Sequence, residues 1–158
     1  TANLSKREAD LAVRHGRPDT GDLYVAQVGT ISCAIYRAAA ARRGLWISYT
    51  DEQAHYAVSR WITAHVQAKG GTVPTRASSL NLQLAAARAG SGMVILPCYA
   101  GDAEPGLERV CEPIAELDAA HWLIVHRDLR RLPHIRSVMS WVKRVFSANV
   151  ARLTGVRA

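Results

Sequence analysis

Apolar positions along this chain fall into short runs and longer periodic stretches, and the two alternate. "EADLAVR" (8–14) predicts a strand, followed by the loop "HGRPDTGD". "DLYVAQVGTISCAIYR" (22–37) reads as one long extended run interrupted at Gly29. "AAAARRG" predicts a short helix stopped by Gly44, ahead of the strand "LWISYT" (45–50). "DEQAHYAVSRWITAHVQAKGG" predicts a helix ended by Gly70 and Gly71. A strand over 72–77, a helix over 79–90, a strand over 92–97 and the helical turn "CYAGD" come next. After "GLERVCEP", the run "AHWLIVHRD" predicts an apolar strand. Pro133 then opens a helix in which Ile135, Val138, Met139, Val142, Val145 and Phe146 recur at helical spacing. This order implies an α/β chain with helices on a mainly parallel sheet. No internal repeat or low-complexity tract interrupts it.

The glycines of "ARAGSGMVILPCY" (87–99) invite a phosphate-loop reading, which the element order rejects. A loop that cradles phosphate follows a strand and opens a helix whose first amides face the anion. Here the helix comes first and the strand follows. Gly90 and Gly92 therefore predict a helix stop and a tight connector.

Composition narrows the class. A chain of 158 residues, 49% hydrophobic and 21% charged, can bury a core and form one or two small domains. No apolar run approaches bilayer length, and no secretory leader opens the sequence, so no membrane partner is expected. Three cysteines, at 33, 98 and 111, are an odd number without metal spacing and fit a reducing cytoplasm.

The net charge of +7 is concentrated. Residues 127–158 hold eight Lys/Arg and one acid, Asp128, while the first 126 residues sum to zero. Such a segment suits a surface near nucleic acid or, more simply, a solvated basic helix.

Candidate ligand contacts follow from the rule that open parallel sheets bind ligands beyond the carboxyl ends of their strands. After the first strand stand Arg14, His15 and Arg17. At the end of the strand over 45–50 come Thr50, Asp51 and His55. Beyond 72–77 come Ser78, Ser79 and Asn81, at a helix N-terminus, and beyond 92–97 come Pro97, Cys98 and Tyr99. Hydroxyls, an amide, an aromatic and free helix amides suit a small polar or carboxylated ligand. Each also has a structural role open to it. Ser78 or Ser79 can be an N-cap, Arg14 and Arg17 can pair with Asp19 or Asp22, and Asp51 can favour a helix dipole.

Enzymatic chemistry finds little support. Cys98 lacks a base at any catalytic spacing and reads as a buried free thiol. His121 and His126, five apart on a strand, point to opposite faces and cannot share a metal. No paired-carboxylate or cofactor motif stands out, so neither metal nor cofactor is expected.

"READLAVRHGRP", "GDLYVAQVG", "LAAARAGSGMVILPCYAGD" and "HWLIVHRDLRRLPHIRSVMSWV" together resemble the effector-binding domain of LysR-type transcriptional regulators. The last two carry most of the likeness. They comprise a helix ending A-G-x-G, an apolar strand ending Leu-Pro, and a W-L-x-x-H strand followed by R-x-P and I-R.

The resemblance implies two Rossmann-like lobes of the type 2 periplasmic-binding-protein kind, joined by two crossover strands. Residues 1–27 would be part of lobe one, 28–120 lobe two, and 121–158 the return to lobe one. Against the family pattern the chain starts late. A first strand-helix-strand unit and the helix-turn-helix DNA-binding segment are expected to be absent, which leaves lobe one incomplete.

The implied function is effector sensing by a bacterial, cytoplasmic DNA-binding regulator. A small effector, carboxylated or aromatic, would sit between the lobes of a homo-dimer or tetramer that reaches promoter DNA through the absent segment. The family's ligand contacts lie at comparable strand ends. The alternative is a lobe of a solute-binding protein for transport, against which the cysteines and the missing leader argue.

Overall fold

The computed structural model describes residues 9–18 and 22–156, which divide into two compact units. The first takes the residues up to Ile31 together with Asp118–Leu153, and the second takes Ser32–Leu117 with the residues from Thr154 onward.

In the first unit, β1 (Leu11–His15), β2 (Leu23–Ile31) and β8 (Ala119–His126) form a sheet in the order β1-β8-β2. β8 runs antiparallel to both neighbours, so the expected mainly parallel arrangement does not hold here. The long extended run breaks at Ser32, and Gly29 instead lies beside a register shift in β2. That glycine is needed because a Cβ there would stand 2.8 Å from the Phe146 ring.

Helix α4 (Pro133–Ala148) starts with proline at its first turn and covers the sheet with Ile135, Met139 and Val142 against Leu123 and Val125. Val138 and Val145, expected on this apolar side, are 43% and 40% exposed, and Trp141 between them is 58% exposed. The three lie on one flank of the buried stripe, outside the strip that Leu123 and Val125 cover. After α4 comes the short helix α5 (Val150–Thr154).

The second unit has three layers around a five-stranded sheet. Its strands are β3 (Cys33–Arg37), β4 (Leu45–Ser48), β5 (Thr72–Arg76), β6 (Met93–Pro97) and β7 (Glu108–Arg109), in the order β5-β4-β6-β3-β7. β4 is parallel to β5 and β6, while β3 is antiparallel to β6 and β7.

Alternate residues enter two cores, as a period of two requires. Ile47, Val94 and Leu96 pack beneath Leu80, Leu84 and Ala87 of α2 (Leu80–Arg88). Trp46 and Ile95 pack with Ile62 of α1 (Ala57–Lys69) on the other face. Strands buried on both faces are continuous apolar runs, which is why "LWIS" and "MVILP" were readable in the sequence.

Helix α2 ends as its glycine predicted. Gly90 takes φ +78°, its amide donates to Ala87 O, and the Ser91 amide donates to Ala86 O.

Two expected helices are revised. Residues 38–44 form turns, with Ala41 N donating to Ala38 O, because seven residues do not carry the cost of helix nucleation. The helix expected over 51–71 splits into a 3-10 turn, Asp51–Gln53, and α1. Tyr56 between them is extended at φ −68°, ψ 144°. β7 was not expected at all.

Candidate functional site

Because β4, β5 and β6 are parallel, their carboxyl ends lie along one edge of the second unit's sheet. The segments leaving that edge carry most of the candidates. Thr50 precedes the 3-10 turn and donates its hydroxyl to Gln53 Oε1 at 3.1 Å. Gln53 Nε2 in turn donates to the Ser78 carbonyl at 3.1 Å, tying the exit of β4 to the exit of β5. Ser78 itself is exposed. Ser79 caps α2, its hydroxyl accepting from the Leu82 amide at 3.4 Å, and Asn81 is exposed in the first turn of that helix.

Aromatic side chains join these polar groups. Tyr49, the first residue beyond β4, packs edge-on to Tyr56 at 5.2 Å between ring centres, and Tyr56 is edge-on to His55 at 4.6 Å. Burial pushes the Tyr49 hydroxyl above its ordinary value, and Cys33, Tyr56 and Tyr99 are near enough to add to the shift. Tyr99 is exposed, in the one-turn helix α3 (Cys98–Gly101) that the sequence predicted at the exit of β6. The edge thus collects three tyrosines, Thr50, Gln53 and Ser78.

Other candidates are placed differently. Pro97 ends β6, and Cys98 behind it is fully buried against Tyr36 and Arg109. Burial raises the Cys98 thiol, with Asp102 adding to the rise and the Tyr36 hydroxyl and Arg109 opposing it, so the thiol stays protonated at neutral pH. Asp51 makes an exposed ion pair with Arg76 at 3.6 Å.

Arg14, His15 and Arg17 belong to the first unit and are exposed. Arg17 sits 5.5 Å above the Trp122 ring, and the His15 and His121 rings lie 6.1 Å apart. The pairing weighed for Arg17 with Asp22 does not form, because Asp22 pairs with Arg127 at 2.8 Å. Asp19 lies outside the described residues. Among the described residues, no group of three His, Cys, Asp or Glu could hold a metal, and no helix is long and apolar enough to cross a membrane.

Strand-end reasoning did not single out Tyr49, Gln53 or Tyr56. Tyr49 was hidden because β4 stops two residues earlier than its apolar run suggested. Gln53 and Tyr56 were hidden by the assumption of one unbroken helix.

The sequence profile described as the LysR substrate binding domain matches residues 1–147. Among solved structures, the regulatory domain of CrgA, a LysR-type transcriptional regulator from Neisseria meningitidis, superposes with a TM-score of 0.65 at 18% identity. The match covers 91% of this chain and 78% of that one. The CcmR regulatory domain from Synechocystis, solved in complex with 2-PG, gives 0.64 at 11% identity over 90% and 76% of the two chains. Full-length CbnR, solved with its target DNA, gives 0.61 at 11% identity over 90% of this chain and 55% of that one. The chain therefore spans about half of that regulator. A search of curated proteins finds no match. At these identities the structural likeness is one of fold.

Proposed function

The chain belongs to the LysR substrate binding domain family, and on that premise we propose that it is the effector-sensing part of a DNA-binding transcriptional regulator. Its α/β fold is that of LysR regulatory domains, of the type 2 periplasmic-binding-protein kind. The proposed ligand is a small polar metabolite, carboxylated or aromatic, held at the strand-exit edge of the second unit. Sensing would work by population shift, the ligand favouring one arrangement of a homo-dimer or tetramer whose DNA-reading segments lie outside this chain. The proposed setting is the bacterial cytoplasm.

One observation carries this reading: the side-chain bridge from Thr50 through Gln53 to Ser78, flanked by Tyr49 and Tyr99. Hydroxyls and aromatic faces on neighbouring strand exits give a ligand both hydrogen bonds and an apolar surface. The CcmR complex with 2-PG supports a small effector for this class of domain.

The test is a thermal-shift screen of organic acids, amino acids and aromatic compounds, followed by titration of any hit. Tyr99→Ala and Thr50→Ala should each weaken a true effector by roughly tenfold or more, about 1.4 kcal/mol, without lowering the melting temperature appreciably. A hit whose affinity ignores both substitutions would defeat the assignment of this edge.

A further inference from the structure

A concave site lies wholly within the first unit, and the strand-exit reading does not use it. It is a cavity of about 1030 Å³ with Leu23, Tyr24, Val25 and Met139 among its walls. That volume is at the upper end of the roughly 300–1,000 Å³ usual for small-molecule sites. Six cations line it: Arg17, Arg127, Arg130, Arg131, Arg136 and Lys143. Among the described residues, no carboxylate lines it.

They come from three directions. Arg17 stands on the segment after β1, three come from the 3-10 turn Arg127–Arg131 that follows β8, and two come from one flank of α4. Only Arg127 has a carboxylate partner among the described residues, Asp22 at 2.8 Å. Arg130 lies 4.1 Å from the Tyr24 ring centre and Lys143 5.9 Å from it, so one aromatic ring orients two of the charges.

Six like charges around one cavity repel each other, and an anion carrying several charges relieves that repulsion. Arginines also match phosphate oxygens in pairs. From this the geometry points to a binding site for small metabolites bearing two or more phosphate groups, separate from the strand-exit edge. A single phosphate would leave unused most of the five cations that have no carboxylate partner among the described residues. The cations surround a hollow instead of forming a ridge, which favours a compact polyanion over the linear charge array of a nucleic-acid backbone.

The experiment is titration calorimetry of the full chain with tripolyphosphate, pyrophosphate, inorganic phosphate and duplex DNA at about 0.15 M salt. Tripolyphosphate should bind at least about tenfold more tightly than inorganic phosphate. The double variant Arg131→Glu/Arg136→Glu should lose roughly a hundredfold in tripolyphosphate affinity. Arg42→Glu/Arg43→Glu removes equal charge from exposed positions in the second unit and should change it less than about threefold. Melting curves check that each variant folds, and Arg131→Gln/Arg136→Gln replaces the first pair if charge reversal disturbs it.

Three results would overturn the site. One is no binding of tripolyphosphate. Another is equal loss in both double variants, which makes the effect one of net charge. The third is DNA binding that depends on Arg131 and Arg136 while tripolyphosphate does not bind, which makes the surface a backbone contact. None of these outcomes bears on the strand-exit edge, so the two readings stand or fall separately.

Discussion

Arg109 donates from Nη1 to the carbonyl oxygen of Gly155 at 2.7 Å, across 46 residues of sequence. The Arg109 side chain is only 3% exposed and also lies 3.5 Å from Asp102 Oδ1, so its charge is held by one ion pair and one backbone acceptor. Gly155 is itself demanded there. It takes φ +71°, and a Cβ would stand 2.6 Å from both Cys98 Sγ and Arg109 Nη1. The contact fastens the end of the chain to the second unit. Arg109→Ala should destabilise that unit by about 2–4 kcal/mol, because it strands a buried acceptor and removes Asp102's counter-charge. Urea unfolding measures this, and a loss below about 0.5 kcal/mol would show that the link holds nothing in place.

The parts of the fold that were legible share a cause, namely that local pattern and tertiary demand agree. β4 and β6 need apolar residues on both faces and have them, and α2 carries both its cap and its stop. The failures occur where tertiary contacts overrule local preference. Ala38 and Ala41 are buried in a turn although alanine favours helix. Tyr56 breaks a periodic segment in order to pack between Tyr49 and His55. The site divides in the same way. Thr50, Ser78, Ser79 and Tyr99 follow from strand ends, whereas the basic cavity needs Arg17 and Tyr24 brought beside residues more than a hundred positions later. Charge counting located the basic segment, but only the pairing of β2 with β8 shows that it encloses a hollow.

Tyr36 should govern part of the alkaline limit of stability. Its ring is fully buried, and its hydroxyl donates to Asp102 Oδ1 at 3.0 Å. Burial, then Cys98 and Asp102, raise its ionisation far above the ordinary tyrosine value of 10.0. A folded value above the unfolded one means that the stability is fully present below about pH 10 and drains away as pH rises beyond it. Tyr49 is shifted in the same direction and contributes to the same arm. Tyr36→Phe should lower stability at pH 7, through the lost hydrogen bond, by about 1 kcal/mol. It should also flatten the decline between about pH 9 and 11. Melting temperatures across that range test it, and an unchanged slope in the variant would exclude Tyr36 as the cause.

The three thiols should separate by reactivity. Cys98 is fully buried with a raised thiol, whereas Cys33 and Cys111 are only half-buried. Thiolate fraction and access both set the rate of modification. In native protein at pH 7.5, Cys98 should react with an aromatic disulfide reagent at least about a hundredfold more slowly than the other two. Denaturant should abolish the difference. Peptide mapping assigns each site, and rapid native labelling of Cys98 would mean that the core around Tyr36 and Arg109 opens far more readily than its packing implies.

Gln53 offers the sharpest separation of binding from stability. Its side chain accepts from Thr50 and donates to the Ser78 carbonyl, joining two strand exits that no other side-chain hydrogen bond connects among the described residues. The bonds are partly exposed, so water can replace them, and Gln53→Ala should cost no more than about 1 kcal/mol in unfolding free energy. The consequence for a ligand is larger. Two loops that must present Tyr49, Thr50 and Ser78 together would keep only the exposed Asp51–Arg76 ion pair as a side-chain tie, and the ligand would have to order them on binding, at roughly 0.5–1.5 kcal/mol per immobilised side chain. An effector found by the screen should therefore bind Gln53→Ala about three- to tenfold more weakly, mostly through a less favourable entropy. Gln53→Glu keeps the acceptor for Thr50 but loses the donor to Ser78, so it should fall between wild type and alanine if the bridge acts through both ends. Equal affinity in all three proteins would show that the strand exits are positioned without Gln53, by their backbones and the Asp51–Arg76 pair.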